Sequence, residues 1–206
     1  MTYYDKSLDI GARLPVNAYK YGMDVPGQIK AAFNRPFGGV AERMRDKAII
    51  EFSKNIYNEM SKTEHYCINK NIDNNVLENL PDFDLEELVI SYIQIKHGYY
   101  LLSNSIAKNS TTIKVECEFR SRDRTKPGRA VVQVKGPKSK ELDATDYIQY
   151  AEKGYQVFLY APKILHPEVL KENLIIVTGD DLLRFYQDYK AILPESITQW
   201  ECLFGL

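Results

Sequence analysis

The amino-acid sequence predicts an α/β fold with a central mixed β-sheet flanked by helices, and three observations carry that expectation. The chain has 206 residues, 44% hydrophobic and 27% charged, so it can bury one sizeable core and is neither fibrous nor disordered in composition. Apolar residues recur with a helical period up to Gly98 and with the alternating period of strands after it. Beyond residue 136, helical and strand-like runs follow one another in turn, the pattern of a sheet that includes parallel strands.

Each element has its own warrant. The first forty residues hold three prolines and five glycines, so residues 1–38 read as an irregular arm. Val40, Met44, Ala48, Phe52, Ile56 and Met60, with Ile49 between them, predict an amphipathic helix over 40–60. Pro81-Asp82 reads as helix-opening punctuation. Asp84 followed three residues later by Glu87 predicts a capping box for a second helix, which Gly98 ends. Strands are expected over 99–103, 112–120 and 129–136, joined by the turn-forming AKNST and TKPG stretches. A three-stranded antiparallel meander is the simplest arrangement for them. A helix over 141–153 stopped by Gly154, a buried strand over 155–160, an apolar strand over 173–178 and a helix over 181–190 complete the order. No internal repeat or low-complexity linker divides the chain, which suits one domain: the arm, a core over 39–160, and C-terminal strand and helices over 161–206.

Several function classes drop out. Cys67, Cys117 and Cys202 are widely spaced with no CxxC pair, which points to reduced thiols, a cytoplasmic location and no structural zinc. No apolar run approaches the roughly eighteen residues of a membrane span, so no membrane partner is expected. There is no glycine-rich phosphate loop and no serine-hydrolase elbow. His65, His97 and His166 share no helical pairing, and His97 beside Gly98 suits an ordinary cation at a helix end. Cys117 falls among apolar positions, as a core thiol does.

Charge is uneven although the whole chain carries only −1. Between residues 114 and 140 nine basic residues face three acids, an excess suited to a phosphate backbone or to a solvated hairpin. Within that stretch, alternation in VECEFR puts Val115, Cys117 and Phe119 on one face and Glu116, Glu118 and Arg120 on the other. The same alternation in AVVQVKG groups Gln133 with Lys135 opposite Val132 and Val134. If the two strands are neighbours with their apolar sets on one side, Glu116 and Glu118 come alongside Gln133 and Lys135. Carboxylate and amide oxygens hold a hard divalent cation, and an ammonium beside it can orient water or balance developing charge. Cross-strand ion pairing is the plainer role for the same acids.

These residues resemble the PD-(D/E)xK nucleases, which have a restriction-endonuclease-like three-layer core, in the variant whose last motif is QxK. The family core is a helix, a three-stranded meander, a crossover helix and a further strand, and the order over residues 38–160 is similar to it. The resemblance implies a Mg²⁺-dependent (Mn²⁺ as substitute) endonuclease acting on double-stranded DNA, in restriction, defence or DNA processing. It implies Gln133 as a metal-site ligand, Lys135 as the catalytic lysine, and Glu118, with Glu116 as its close competitor, as the preceding acid. The GGVAER stretch resembles the family's helical glutamate and implies Glu42 near the metal, where a first-turn acid favoured by the helix dipole is the plainer reading. IIVTGDDLLRFY is similar to the end of the Mrr-type restriction branch. The family usually has aspartate where this chain has glutamate. Arg120, Arg122, Arg124, Lys126, Arg129, Lys138 and Lys140 would neutralise phosphates. A nucleic-acid-binding or assembly module without turnover is the alternative. Tyr147, Tyr155 and Tyr186 have core spacing, whereas Tyr3, Tyr4, Tyr19 and Tyr21 are placed to meet a partner. Residues 200–206 offer an apolar tail to a second subunit, which would make a homodimer.

Overall fold

The computed structural model describes residues 3–5, 10–13, 47–68, 77, 80–103, 115–136 and 141–201. Part of the arm expected to be irregular forms a small antiparallel hairpin, β1 (Tyr3–Asp5) with β2 (Ile10–Arg13). Tyrosine and isoleucine suit extended backbone there, against the turn-rich composition around them. Helix α1 (Lys47–Ser61) follows the apolar spacing that predicts it, and residues 40–46 of that expected helix lie outside the described residues.

Helix α2 (Asp82–His97) leads into β3 (Tyr99–Leu101), β4 (Cys117–Ser121) and β5 (Arg129–Val134). Pro81 precedes the first turn of α2, and Gly98 ends the helix in the left-handed conformation that favours glycine, at φ 69°. The expected capping box does not form. The helix starts at Asp82, so Asp84 falls inside it and is buried in the core.

After β5 come β6 (Leu142–Asp143), a 3₁₀ turn (Ala144–Tyr147) and α3 (Ile148–Glu152), where one continuous helix was expected. Asp143 sets where the helical part starts: extended itself, it caps the 3₁₀ turn, its carboxylate accepting from the Thr145 backbone N–H at 2.9 Å and hydroxyl at 2.8 Å. Gly154 stops the segment as expected, at φ 73°. Strand β7 (Gln156–Tyr160), β8 (Ile164–Leu165), a 3₁₀ segment (Pro167–Asn173), β9 (Leu174–Ile176), α4 (Gly179–Tyr189) and α5 (Glu195–Thr198) complete the described chain. Thr178 caps α4 reciprocally with Asp181.

The central sheet is mixed, with order β3-β4-β5-β7-β9. The meander β3-β4-β5 is antiparallel, and β7 and β9 add in parallel. On one face, Leu85, Leu88, Val89 and Ile93 of α2 pack with Cys117, Phe119, Val132 and Phe158 of the sheet, joined by α1, α4 and Trp200. On the other, Tyr147, Tyr155 and Leu170 cover Val131, Val157 and Leu159. Burying side chains such as Phe119, Phe158 and Trp200 stabilises by about 1.5–3 kcal/mol each or more.

Two expectations change here. Val115 was assigned to the face of Cys117 and Phe119, yet it packs with Val131 on the opposite face. The chain bends at Glu116, before the strand begins at Cys117, and a two-residue period cannot be counted across a bend. Trp200, assigned to a subunit-docking tail, is wholly buried in the core, and 202–206 lie outside the described residues. Among the described residues no helix is long and apolar enough to cross a membrane.

Candidate active site

The register of β4 on β5 pairs Cys117 with Val132 and Glu118 with Val131. One step further along that ladder brings Glu116 beside Gln133, and the Glu116 backbone N–H donates to the Val132 carbonyl at 2.9 Å. The Gln133 amide donates from Nε2 to Glu116 Oε1 and to its neighbour's carbonyl, that of Val134, at 3.2 Å. Gln133 is only 5% exposed, so this amide is held by its contacts and not by water. Lys135 follows two residues later on the same face, its backbone N–H donating to the Tyr160 carbonyl at 2.8 Å while its side chain stays exposed.

Helix α2 brings further acids to this end of the sheet. Asp82 and Glu86 are one turn apart and share a helix face. The carboxylate of Asp82 lies against Gly136, where a Cβ would come within 2.2 Å of Asp82 Oδ1. Glycine at 136 leaves that space to the acid. Burial, reinforced by Glu116 and Asp82 and opposed by Lys135, pushes the Glu86 carboxyl up to about 7. Glu116 is also raised, by burial first; the Gln133 hydrogen bond and Lys135 pull against the shift and Asp82 adds to it. Burial raises the phenol of Tyr147, with Asp146 and Glu116 adding to the shift. Burial likewise pushes the Cys117 thiol up to about 12, which keeps it protonated and suits the expected core role.

Glu86, Glu116 and Asp82 thus crowd negative charge into a partly enclosed space, with one ammonium near them. A proton on Glu86 relieves that crowding at neutral pH, and a divalent cation would relieve it further. Among the described residues no three acid, imidazole or thiol groups converge on a metal position. The oxygen donors that a hard cation would draw on here are the Glu116 carboxylate and the Gln133 amide oxygen, which a half-turn of the amide would present in place of Nε2, with the Glu86 carboxyl near enough to feel the Glu116 charge.

The other residues singled out from the sequence fall elsewhere. Glu118 turns to Arg120, 3.5 Å away, instead of joining Glu116. Arg120 pairs across the strands with Arg129, and Arg122, Arg124 and Lys126 lie in the turn beyond. Arg122 sits over the Tyr100 ring at 5.8 Å, and Arg129 donates to the Tyr155 hydroxyl at 2.8 Å. Lys126 donates to the His97 carbonyl at 3.0 Å. That bond corrects the expectation for His97. Lys126 supplies the cation at the end of α2, while burial and Lys126 hold the imidazole below its ordinary range. From Arg129 to Lys135 the strand covers roughly 20 Å at about 3.3 Å per residue, so the basic hairpin and the acidic cluster occupy opposite ends of β5. Glu42, Lys138 and Lys140 lie outside the described residues.

Sequence reasoning missed Glu86 and the proximity of Asp82 to the strand. Their signal was present: two acids four apart at the start of the helix that runs directly into the meander. Comparison of the chain with protein-family models, with curated proteins and with solved structures found no match.

Proposed function

We propose that this chain is a metal-dependent nuclease of the restriction-endonuclease-like class, hydrolysing phosphodiester bonds in DNA. One observation carries the reading: Glu116 is hydrogen-bonded to Gln133, the Glu86 carboxyl of α2 lies close enough to feel the charges of Glu116 and Lys135, and Lys135 follows Gln133 by two residues. The order helix, meander, helical crossover and parallel strand supports it, since that is the order the resemblance implies. Glu116 and Gln133 would hold Mg²⁺, with Glu86 opposite and Glu118 set apart beside Arg120. When bound, a divalent cation lowers the pKa of an attacking water and offsets charge on the phosphate. Lys135, close enough to oppose the shifts of both Glu86 and Glu116, would place its ammonium against the charge that develops at the phosphate. Gln133 holds Glu116 through Nε2, and presenting the amide oxygen to a cation would give up that bond.

Incubating plasmid DNA with Mg²⁺ or Mn²⁺ tests the reading. The wild-type chain is expected to cleave and Lys135→Ala to lose cleavage while still binding DNA. Equal activity in the two removes the mechanism. A second reading, a nucleic-acid-binding module without turnover, is favoured by the basic hairpin lying at the other end of β5 from the acids. Salt-sensitive DNA binding without metal-dependent cleavage selects it.

A further inference from the structure

The first turns of α2 face two ways. Asp84 is buried, and its Oδ2 accepts the indole N–H of Trp200 at 3.2 Å. Trp200 is the one tryptophan of the sequence, and its ring lies 4.6 Å from that of Phe52 in α1, centroid to centroid. An ion pair between Glu201 and Lys190 holds the chain just beyond it. Two residues to either side of Asp84 are Asp82 and Glu86. At about 100° per residue these two lie within about 40° of one another on the helix and about 160° from Asp84. The bond to Trp200 and the acids turned toward β5 therefore occupy opposite sides of the same turns.

An acid at the start of a helix is well served by solvent and the helix dipole, and burying one is costly. Core packing alone would accept an apolar side chain at position 84. What the buried bond adds is direction. If α2 rolled by about 20°, a carboxylate about 6 Å from the axis would swing by about 2 Å. A misplacement of about 1 Å can cost on the order of a hundredfold in rate. The close packing of Leu85, Leu88 and Val89 also resists such a roll, and a hydrogen bond adds a direction of its own.

We infer that Trp200 is a positioning residue: its indole bond to Asp84 fixes the roll of α2 and thereby the aim of Glu86 and Asp82 at the end of β5. The inference rests on the site reading given above. Because coupling is reciprocal, loading the site must also act on the indole.

Mg²⁺ titration of the full chain, followed by calorimetry and by Trp200 fluorescence, tests it. Mg²⁺ should change the emission of Trp200 with the midpoint that calorimetry gives. Trp200→Phe, which keeps a ring and removes the donor, should weaken Mg²⁺ binding at least about tenfold, and Asp84→Asn, whose amide oxygen still accepts the N–H, no more than about threefold. Glu86→Gln controls for the site itself. If Glu86→Gln loses Mg²⁺ while Trp200→Phe keeps wild-type affinity and merely melts earlier, the positioning role is wrong and the site reading stands. A wild-type chain that takes up no Mg²⁺ overturns both. Should Trp200→Phe fail to fold, wild-type Mg²⁺ uptake that leaves Trp200 emission unchanged overturns the inference without it.

Discussion

The two ends of the β4–β5 pair are made from the same strands, with the same alternation, yet they differ in chemistry. At one end Glu116, Gln133 and Lys135 meet the first turns of α2, and the carboxyls there are pushed upward by burial and by each other. At the other, Arg120, Arg122, Lys126 and Arg129 each have a partner close at hand: Glu118, the Tyr100 ring, the His97 carbonyl and the Tyr155 hydroxyl. Enclosure is the difference. A charge that water still reaches contributes little to stability, whereas charges enclosed together change one another's protonation. A count of basic and acidic residues along 114–140 treats the two ends as one patch, and the strand register separates them.

The largest perturbation should abolish the comparison altogether. Phe119 is wholly buried between the two ends, and Phe119→Ala is expected to cost roughly 3–5 kcal/mol, read as a lowered urea midpoint, disturbing both ends together. Next comes Lys135→Ala, which should lower kcat for Mg²⁺-dependent cleavage roughly 10²–10³-fold with KM changed much less, because the ammonium would act mainly on the transition state. A change confined to KM would instead make Lys135 a phosphate anchor.

The pH dependence of the acidic end has a definite sign. Glu86 has its folded value raised to about 7 from 4.5, so the folded state takes up the proton more readily than the unfolded one. Its contribution is most favourable below pH 4.5 and is lost as pH rises toward 7. Glu86→Gln should therefore stabilise the metal-free chain at pH 8, on the order of 1 kcal/mol after allowing for solvent contact, with the gain gone by about pH 4. A melting series in which the variant tracks the wild type at every pH would remove the enclosed-acid description. The smallest effect belongs to the hairpin: Arg122→Ala with Arg124→Ala should leave kcat within about twofold, and each lost phosphate contact would shallow the salt dependence of DNA binding by about 0.9. A large fall in kcat would show that the hairpin reaches the reacting phosphate after all.

How far the sequence foretold this arrangement depended on the range of the interaction. Strand alternation is local, and it grouped Gln133 with Lys135 and brought Glu116 and Glu118 alongside them, of which the register sets Glu116 beside Gln133. The stops at Gly98 and Gly154 were equally readable, because glycine marks a left-handed turn at each, whereas Lys62, His166 and Lys171 adopt positive φ with no such mark in the sequence. Val115 was misplaced by a bend that alternation does not register, and the helix expected over 141–153 begins only at Ala144, where the Asp143 side chain caps it. Seeing which of Glu116 and Glu118 lies beside Gln133 needed the register and the bend together. Glu86 carried only a partial signal, two acids four apart at the start of α2, because its place relative to Glu116 depends on how α2 crosses the sheet, which no period along either segment encodes. Trp200 was assigned to a surface by its position near residues 202–206, although a bond 116 residues back in the chain takes it inside.

Helix α2 touches both ends of β5, through Asp82 against Gly136 and through the His97 carbonyl against Lys126. Its length is therefore fixed from two sides, like a crossbar cut to its frame. One inserted residue would turn everything beyond it by about 100° and push it on by about 1.5 Å, drawing either Glu86 off Glu116 or His97 off Lys126.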